Sequence, residues 1–181
     1  VNGLGGGYKC NDSTSLTKSE LQEPKTNFCK DVKPGDTIEV HWVYTSCEVK
    51  PGKGLGSCFS GSCINPNLRV EAQIFTVVND SSALNFLDFV YGGDIINGYH
   101  QAKALPTNTG KPVEFAGSTT GPKYTEQKCS PLLVSWSVRP KCAKVDINSL
   151  SEWGKNNVFE ENHAHGVRKL VTNTKLLDEI E

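Results

Sequence analysis

Alternation of apolar and polar positions dominates the chain. After the turn Lys33-Pro34-Gly35-Asp36, the run Thr37-Ile38-Glu39-Val40-His41-Trp42-Val43-Tyr44 is β-branched and aromatic and predicts a strand. Successive side chains on a strand point to opposite faces, so Glu39, His41 and Val43 share one face while Val40 and Trp42 point to the other. A second strand is predicted at Leu68–Val78, rich in Val, Ile and Phe and ended by Asn79-Asp80. Shorter strands are predicted at Phe86–Val90, Val113–Ala116 and Leu132–Val138. Helical spacing is confined to Leu16–Leu21 behind Ser15, to Ser149–Lys155 led by Asn148, and to the tail Asn173–Glu181, where Leu176, Leu177 and Ile180 fall on one side. The rest of residues 1–35 reads as coil, and Pro51–Cys58 is a Pro/Gly-rich excursion between the two main strands. With no internal repeat and no linker, the pattern predicts one mainly β domain over residues 1–181, with helices too short to build a layer.

Composition narrows the functional classes. Nineteen basic residues against twenty acidic ones, with no long run of either sign, leave nothing built to neutralise phosphate, so nucleic acid is not an expected partner. No stretch reaches the roughly 18–20 consecutive apolar residues of a membrane-spanning helix. The start Val-Asn-Gly-Leu-Gly-Gly-Gly has neither a basic n-region nor an apolar h-region and reads as a processed or trimmed end. The seven cysteines stand singly rather than in the C-x-x-C pairs of structural zinc sites, which points to disulfides and a secreted or periplasmic, oxidising location. Cys47, Cys58 and Cys63 are placed to staple the Pro51–Cys58 excursion. The odd count leaves one thiol free, paired with another chain, or paired with a segment outside these residues.

Four histidines are available for chemistry: His41, His100, His163 and His165. His41 shares its face with a carboxylate and an aliphatic side chain; on its own, a strand histidine is more simply a core or surface residue satisfied by hydrogen bonds. His163-Ala164-His165 would present two imidazoles to one metal if it lay on a strand, but also reads as a polar turn behind Glu160 and Glu161. His100 reads as a loop residue. Gly117-Ser118-Thr119-Thr120-Gly121 is a Gly-flanked hydroxyl cluster without the Lys of a phosphate-binding loop, and no nucleophilic-serine elbow or Cys–His pair is evident.

Taken together, Asp36–Trp42, Phe75–Asp80, Gly117–Gly121 and His163–Val171 resemble the carbonic anhydrases, most closely the delta class and its bacterial relatives, with alpha-class-like motifs in the Glu39-Val40-His41 strand and in Gly117–Thr120 followed by Cys129–Val138. The resemblance implies a twisted, largely antiparallel central sheet of the alpha-carbonic-anhydrase kind, with a few short helices and disulfide-stapled loops. It also implies a Zn2+ cofactor and reversible hydration of carbon dioxide to bicarbonate and a proton through a zinc-bound hydroxide. His41 would be a zinc ligand and Glu39 the carboxylate that orients a ligand. Thr119, or Thr120 after a one-residue shift, would hydrogen-bond the hydroxide, and Val43 and Trp136 would line the carbon dioxide pocket. Cobalt or cadmium could replace zinc in a site of this ligand type.

The chain also departs from that family. No histidine precedes His41, whereas delta- and alpha-class enzymes carry an upstream His-x-His strand and a further His and Glu, and Pro122–Lys128 is inserted before the last predicted strand. The non-Met, Gly-rich start and the seventh cysteine support the expectation that the upstream segment lies outside the residues given. Two alternatives stay open: a non-catalytic carbonic-anhydrase-like secreted binding protein that has lost part of its metal site, or an unusual site in which His163 and His165 join His41.

Overall fold

A computed structural model describes residues 9–48, 50–53, 63–117, 125–165 and 175. Among these, the chain forms strands β1 (Thr37–Thr45), β2 (Leu68–Val78), β3 (Ile95–Ile96), β4 (Tyr99–His100), β5 (Val113–Ala116) and β6 (Val134–Asp146), and one α-helix, α1 (Ile147–Lys155). The strands make one sheet in the order β3-β4-β1-β2-β6-β5. All pairings are antiparallel except β2 with β6, which is parallel. The fold is mainly β, as the sequence pattern predicts, and its sheet is largely antiparallel, as the family resemblance implies. No described helix is long and apolar enough to cross a membrane.

The turn at Lys33–Asp36 sets the start of β1. Gly35 sits at φ 93°, a value that favours glycine, and Asp36 N–H donates to Lys33 O at 3.1 Å. Gly35 N–H donates to Val77 O and Val77 N–H to Asp36 O, so the turn already carries the β1–β2 ladder. From there the register runs without a break from Thr37 opposite Thr76 to Thr45 opposite Leu68.

The two faces of this sheet are covered differently. On one, Trp42, Tyr44, Phe75, Val77, Ala143 and Val145 pack with Phe86, Ile147 and Leu150 into the main core. The buried Trp42 ring satisfies its N–H by donating to Phe89 O at 2.8 Å. On the other face, a smaller cluster of Leu68, Val70, Cys129 and Val134 lies at one end of the strands. At the opposite end, Asn11–Thr14 forms a 3-10 turn that is tied down by Thr76 Oγ1 donating to Asp12, by Cys10 N–H donating to Thr37 Oγ1 and by the Cys10–Cys142 disulfide.

Several elements differ from the sequence-based expectation. Phe86–Phe89 is a 3-10 turn rather than a strand, because Asn85 accepts from Leu87 N–H and starts a helical turn, while Phe86 plugs the core against Trp42 and Trp153. Leu16–Leu21 closes a single turn instead of a helix. Thr17 and Glu20 form a reciprocal capping pair, with Thr17 N–H donating to Glu20 Oε2 at 2.8 Å and Glu20 N–H to Thr17 Oγ1 at 3.2 Å. Continuation would need an N–H at position 24 for the Glu20 carbonyl; Pro24 has none, and Asn79 N–H donates there instead. The later helix begins at Ile147, two residues earlier than expected, because the Asp146 side chain caps it through Asn148 N–H. The tail Asn173–Glu181 lies outside the described residues apart from Lys175.

The strand predicted at Leu132–Val138 starts two residues later and runs eight further, to Asp146. Pro131–Leu133 is a 3-10 turn capped by Ser130. Pro140 lies within this strand although proline cannot donate to a ladder. It is accommodated where the β2–β6 register shifts, from Gln73 opposite Arg139 to Phe75 opposite Ala143. Two extra residues on β6 keep the side-chain alternation in phase, so Arg139 and Ala143 remain on the same face. The shift is held by buried polar bonds: Gln73 Nε2 donates to Glu71 and to Pro106 O, Thr109 Oγ1 donates to Gln73 Oε1, and Arg139 donates to Glu71 at 2.6 Å and to Gly110 O at 2.8 Å.

Of the cysteines, Cys10 pairs with Cys142 across 132 residues and Cys47 with Cys63 across 16, the second closing the excursion as expected. Cys129 is also disulfide-bonded. Cys29 is a buried free thiol, and its burial pushes its pKa up.

Replacing both Cys10 and Cys142 by serine should destabilise the protein by about 2–5 kcal/mol in denaturant titrations, because the crosslink closes a very long loop in the unfolded chain. Glu20 gives a pH-dependent counterpart. Hydrogen bonds from Lys144 first, then from Thr17, lower its pKa from the ordinary 4.5 to about 2. The stabilisation is thus fully present above about pH 4.5 and lost as pH falls toward 2. Thermal melts of Glu20→Gln should show a shallower loss of stability across that window than the parent protein.

Candidate metal centre

Glu39, His41 and Val43 project from the face of β1 opposite the main core, as alternation requires. The two end caps of that face, the Leu68 cluster and the Asn11–Thr14 turn, leave its middle open. There the side chains of His41 and Glu39 are 44% and 49% exposed. His41 Nε2 lies 2.9 Å from Glu39 Oε1. A carboxylate can only accept, so Nε2–H donates and the lone pair is left on Nδ1. This is the tautomer a metal-binding imidazole needs, with a carboxylate behind it to orient the ring and raise its basicity.

The register supplies the wall beside it. Val43 lies opposite Val70, which pairs with Trp136, which pairs with Phe115; one row further, His41 lies opposite Ala72, which pairs with Val138. Ala72 is fully buried and has only a methyl group. The Trp136 ring therefore reaches diagonally across β2 to meet His41 edge-on, with centroids 5.2 Å apart. Phe115 stacks on the outer side of Trp136 at 5.9 Å, with the ring planes nearly parallel. Val43 and Trp136 both pack against the Leu68 cluster. The result is a hydrogen-bonded carboxylate–imidazole pair beside an apolar aromatic wall.

Glu39, His41, Val43 and Trp136 are thus brought to one face. His163 and His165 are not among them: His163 forms a bridge with Lys30, and Ala164 packs against the main core on the other side of β1. His100 lies on β4, paired with Thr45 and Ile95, with Nδ1 3.2 Å from the Tyr91 hydroxyl. Thr119 and Thr120 lie outside the described residues. Phe115 and Ala72 were not singled out from the sequence. Alternation in Val113–Ala116 puts Phe115 on one face of its strand, but which ring it meets depends on β5–β6 pairing.

Among the described residues there is no group of three His, Cys, Asp or Glu side chains placed to hold a metal ion. They fit one corner of a three-imidazole zinc site, at His41, and do not fit a complete one.

The His41 hydrogen bond is the main reason that Glu39 is held below the ordinary carboxylate range, against the opposing effect of its partial burial. In metal-free protein, an NMR titration should find the Glu39 carboxyl midpoint below 4.5, and His41→Ala should move it up. A midpoint unchanged by the substitution would contradict the pairing.

With this geometry in view, comparison with known proteins is informative. A family model described as Delta carbonic anhydrase matches residues 1–149. The matched stretch contains Glu39, His41, Val43, Thr119, Thr120 and Trp136 and ends before His163 and His165. No curated protein and no solved structure matches the chain. A match over most of the chain, spanning the strand that carries the carboxylate–imidazole pair, places this protein: it belongs to the Delta carbonic anhydrase family.

Proposed function

We propose that the protein catalyses the reversible hydration of carbon dioxide to bicarbonate and a proton, with zinc as its metal and His41 as one of the ligands. The observation that carries this reading is the 2.9 Å Glu39–His41 hydrogen bond beside the Trp136 wall, within the stretch that matches the family. Zinc, bound by neutral imidazoles with one position open, would lower the pKa of a bound water to ~7 and so supply a nucleophile at neutral pH.

The chain's own residues contribute three things. His41 offers Nδ1 to the metal. Glu39 holds the imidazole in that tautomer and orientation. Val43 and Trp136 provide an apolar surface next to the imidazole, suited to a small nonpolar substrate such as carbon dioxide. Thr119, with Thr120 as the neighbouring candidate, is assigned the hydroxyl that orients the reacting oxygen. The reading requires further ligands from outside the described residues. The disulfides support an oxidising compartment, secreted or periplasmic.

A second reading is favoured by the lack of a three-ligand group among the described residues: a carbonic-anhydrase-like binding protein without catalysis. The two separate cleanly. Elemental analysis of protein produced from its complete natural gene should find about one zinc per chain, and stopped-flow assays should find carbon dioxide hydration blocked by a sulfonamide. His41→Ala should lose both zinc and activity. Glu39→Gln should weaken zinc binding by about 10–100-fold. Folded, zinc-free, inactive parent protein would leave the binding-protein reading standing.

A further inference from the structure

The face of the sheet opposite His41 is only half covered by the main core. At the other half, β2, β6 and β5 run side by side in known register. Arg69 lies beside Ser135 and Ser135 beside Ala116; one row along, Glu71 lies beside Ser137 and Ser137 beside Glu114. Because Ser135, Ser137 and Ala116 are small while their neighbours are long, the sheet surface sinks into an open cleft of about 450 Å³.

Two of the charged groups around this cleft, Arg69 and Glu114, have no ion pair among the described residues, while Glu71 is paired with Arg139 through one oxygen only. Arg69 makes no ion pair among the described residues, yet its guanidinium is held over the Tyr44 and Tyr99 rings, 5.9 and 5.3 Å from their centroids. Stacking of this kind presents the planar fork in one orientation without consuming its charge. Glu71 is a different case, since only 10% of its side chain is exposed. Its Oε1 takes both Arg139 Nε and Gln73 Nε2, while Oε2 has no hydrogen-bond partner among the described residues. No buried side-chain oxygen among the described residues is left unsatisfied, so Oε2 is the part of Glu71 that solvent in the cleft reaches. Glu114 stands on the far side of Ser137, also without an ion pair among the described residues. The Tyr44 phenol, pushed up to about 12 by burial and by the nearby Glu71, stays a hydrogen-bond donor at neutral pH.

We propose that this cleft binds a small zwitterion, with its carboxylate on Arg69 over Ser135 and its ammonium over Ser137 between Glu71 and Glu114. The spacing selects among zwitterions. Ser135 and Ser137 are two residues apart on one strand, about 7 Å, and Glu71 and Glu114 flank Ser137 at about 10 Å from each other across two strand spacings. A ligand whose charges are separated by a short carbon chain, an ω-amino acid, spans both ends; an α-amino acid, with both charges on one carbon, engages one end at a time. The site is on the opposite face of the sheet from His41 and is independent of the zinc reading.

Isothermal titration of the full-length protein with 4-aminobutyrate, butyrate, butylamine and glycine tests this. Saturable binding of 4-aminobutyrate is expected, at least about 10-fold tighter than each of the other three, since each end contributes a charge-assisted hydrogen bond. Arg69→Gln and Glu114→Gln should each weaken it by about 10-fold or more, with unchanged melting temperature. Ser137→Leu, which fills the floor without removing a charge, should abolish binding, and amide shifts on ligand addition should centre on Ser135–Ser137. The assignment is overturned by absence of saturable binding, by equal affinity for the four probes, or by retained binding in a folded Ser137→Leu or Arg69→Gln protein.

Discussion

Strand β2, Leu68–Val78, is paired along both edges and buried along most of both faces. That double constraint governs the rest of the sheet. A strand with apolar or bonded neighbours on all four sides cannot slip by one residue without moving every side chain to the wrong face. It therefore holds β1 on one edge and β6 on the other in a single register, and through β6 it holds β5. The apposition of His41 with Trp136 across the Ala72 methyl, and of Arg69 with Ser135 on the opposite face, are both consequences of where β2 locks its neighbours.

Keeping that register cost the fold a correction at one point. Beyond Val138, β6 carries two residues more than β2 can pair, and Pro140 lies in that surplus. The excess is absorbed as a pair rather than a single residue, so alternation survives, and the Glu71–Gln73–Arg139–Thr109 bonds give each buried polar group there a partner. Glu71 shows how structure and potential function share one side chain. One oxygen secures the shift; the other faces the cleft.

The candidate metal centre follows a different logic. It occupies the stretch of its face that neither end cap covers, so the carboxylate–imidazole pair is accessible while the strand that carries it is firmly held from the other side by Trp42 and Tyr44. Membership in the Delta carbonic anhydrase family and this pairing converge on His41. Among the described residues no group of three possible ligands forms around His41, so the source of further ligands is the question on which the proposed zinc reading turns.

Local chemistry made β1, β2, β5 and the shared face of Glu39, His41 and Val43 legible from the sequence alone, because alternation with period two needs no partner to be read. It misled where a neighbour outvoted it: Phe86–Val90 has strand-like composition but turns to fill the core, Leu16–Leu21 starts a helix that Pro24 cannot continue, and β6 passes a proline that a two-residue offset absorbs. The family resemblance and the adjacency of Glu39 and His41 on one face were written in contiguous motifs. That Trp136 stands beside His41 with Phe115 stacked behind it, that Ala164 packs on the opposite side, and that Arg69, Glu71 and Glu114 surround one cleft were decided only by tertiary structure. Those relations depend on strand order and register, which are set by long-range burial and leave no local trace in the chain.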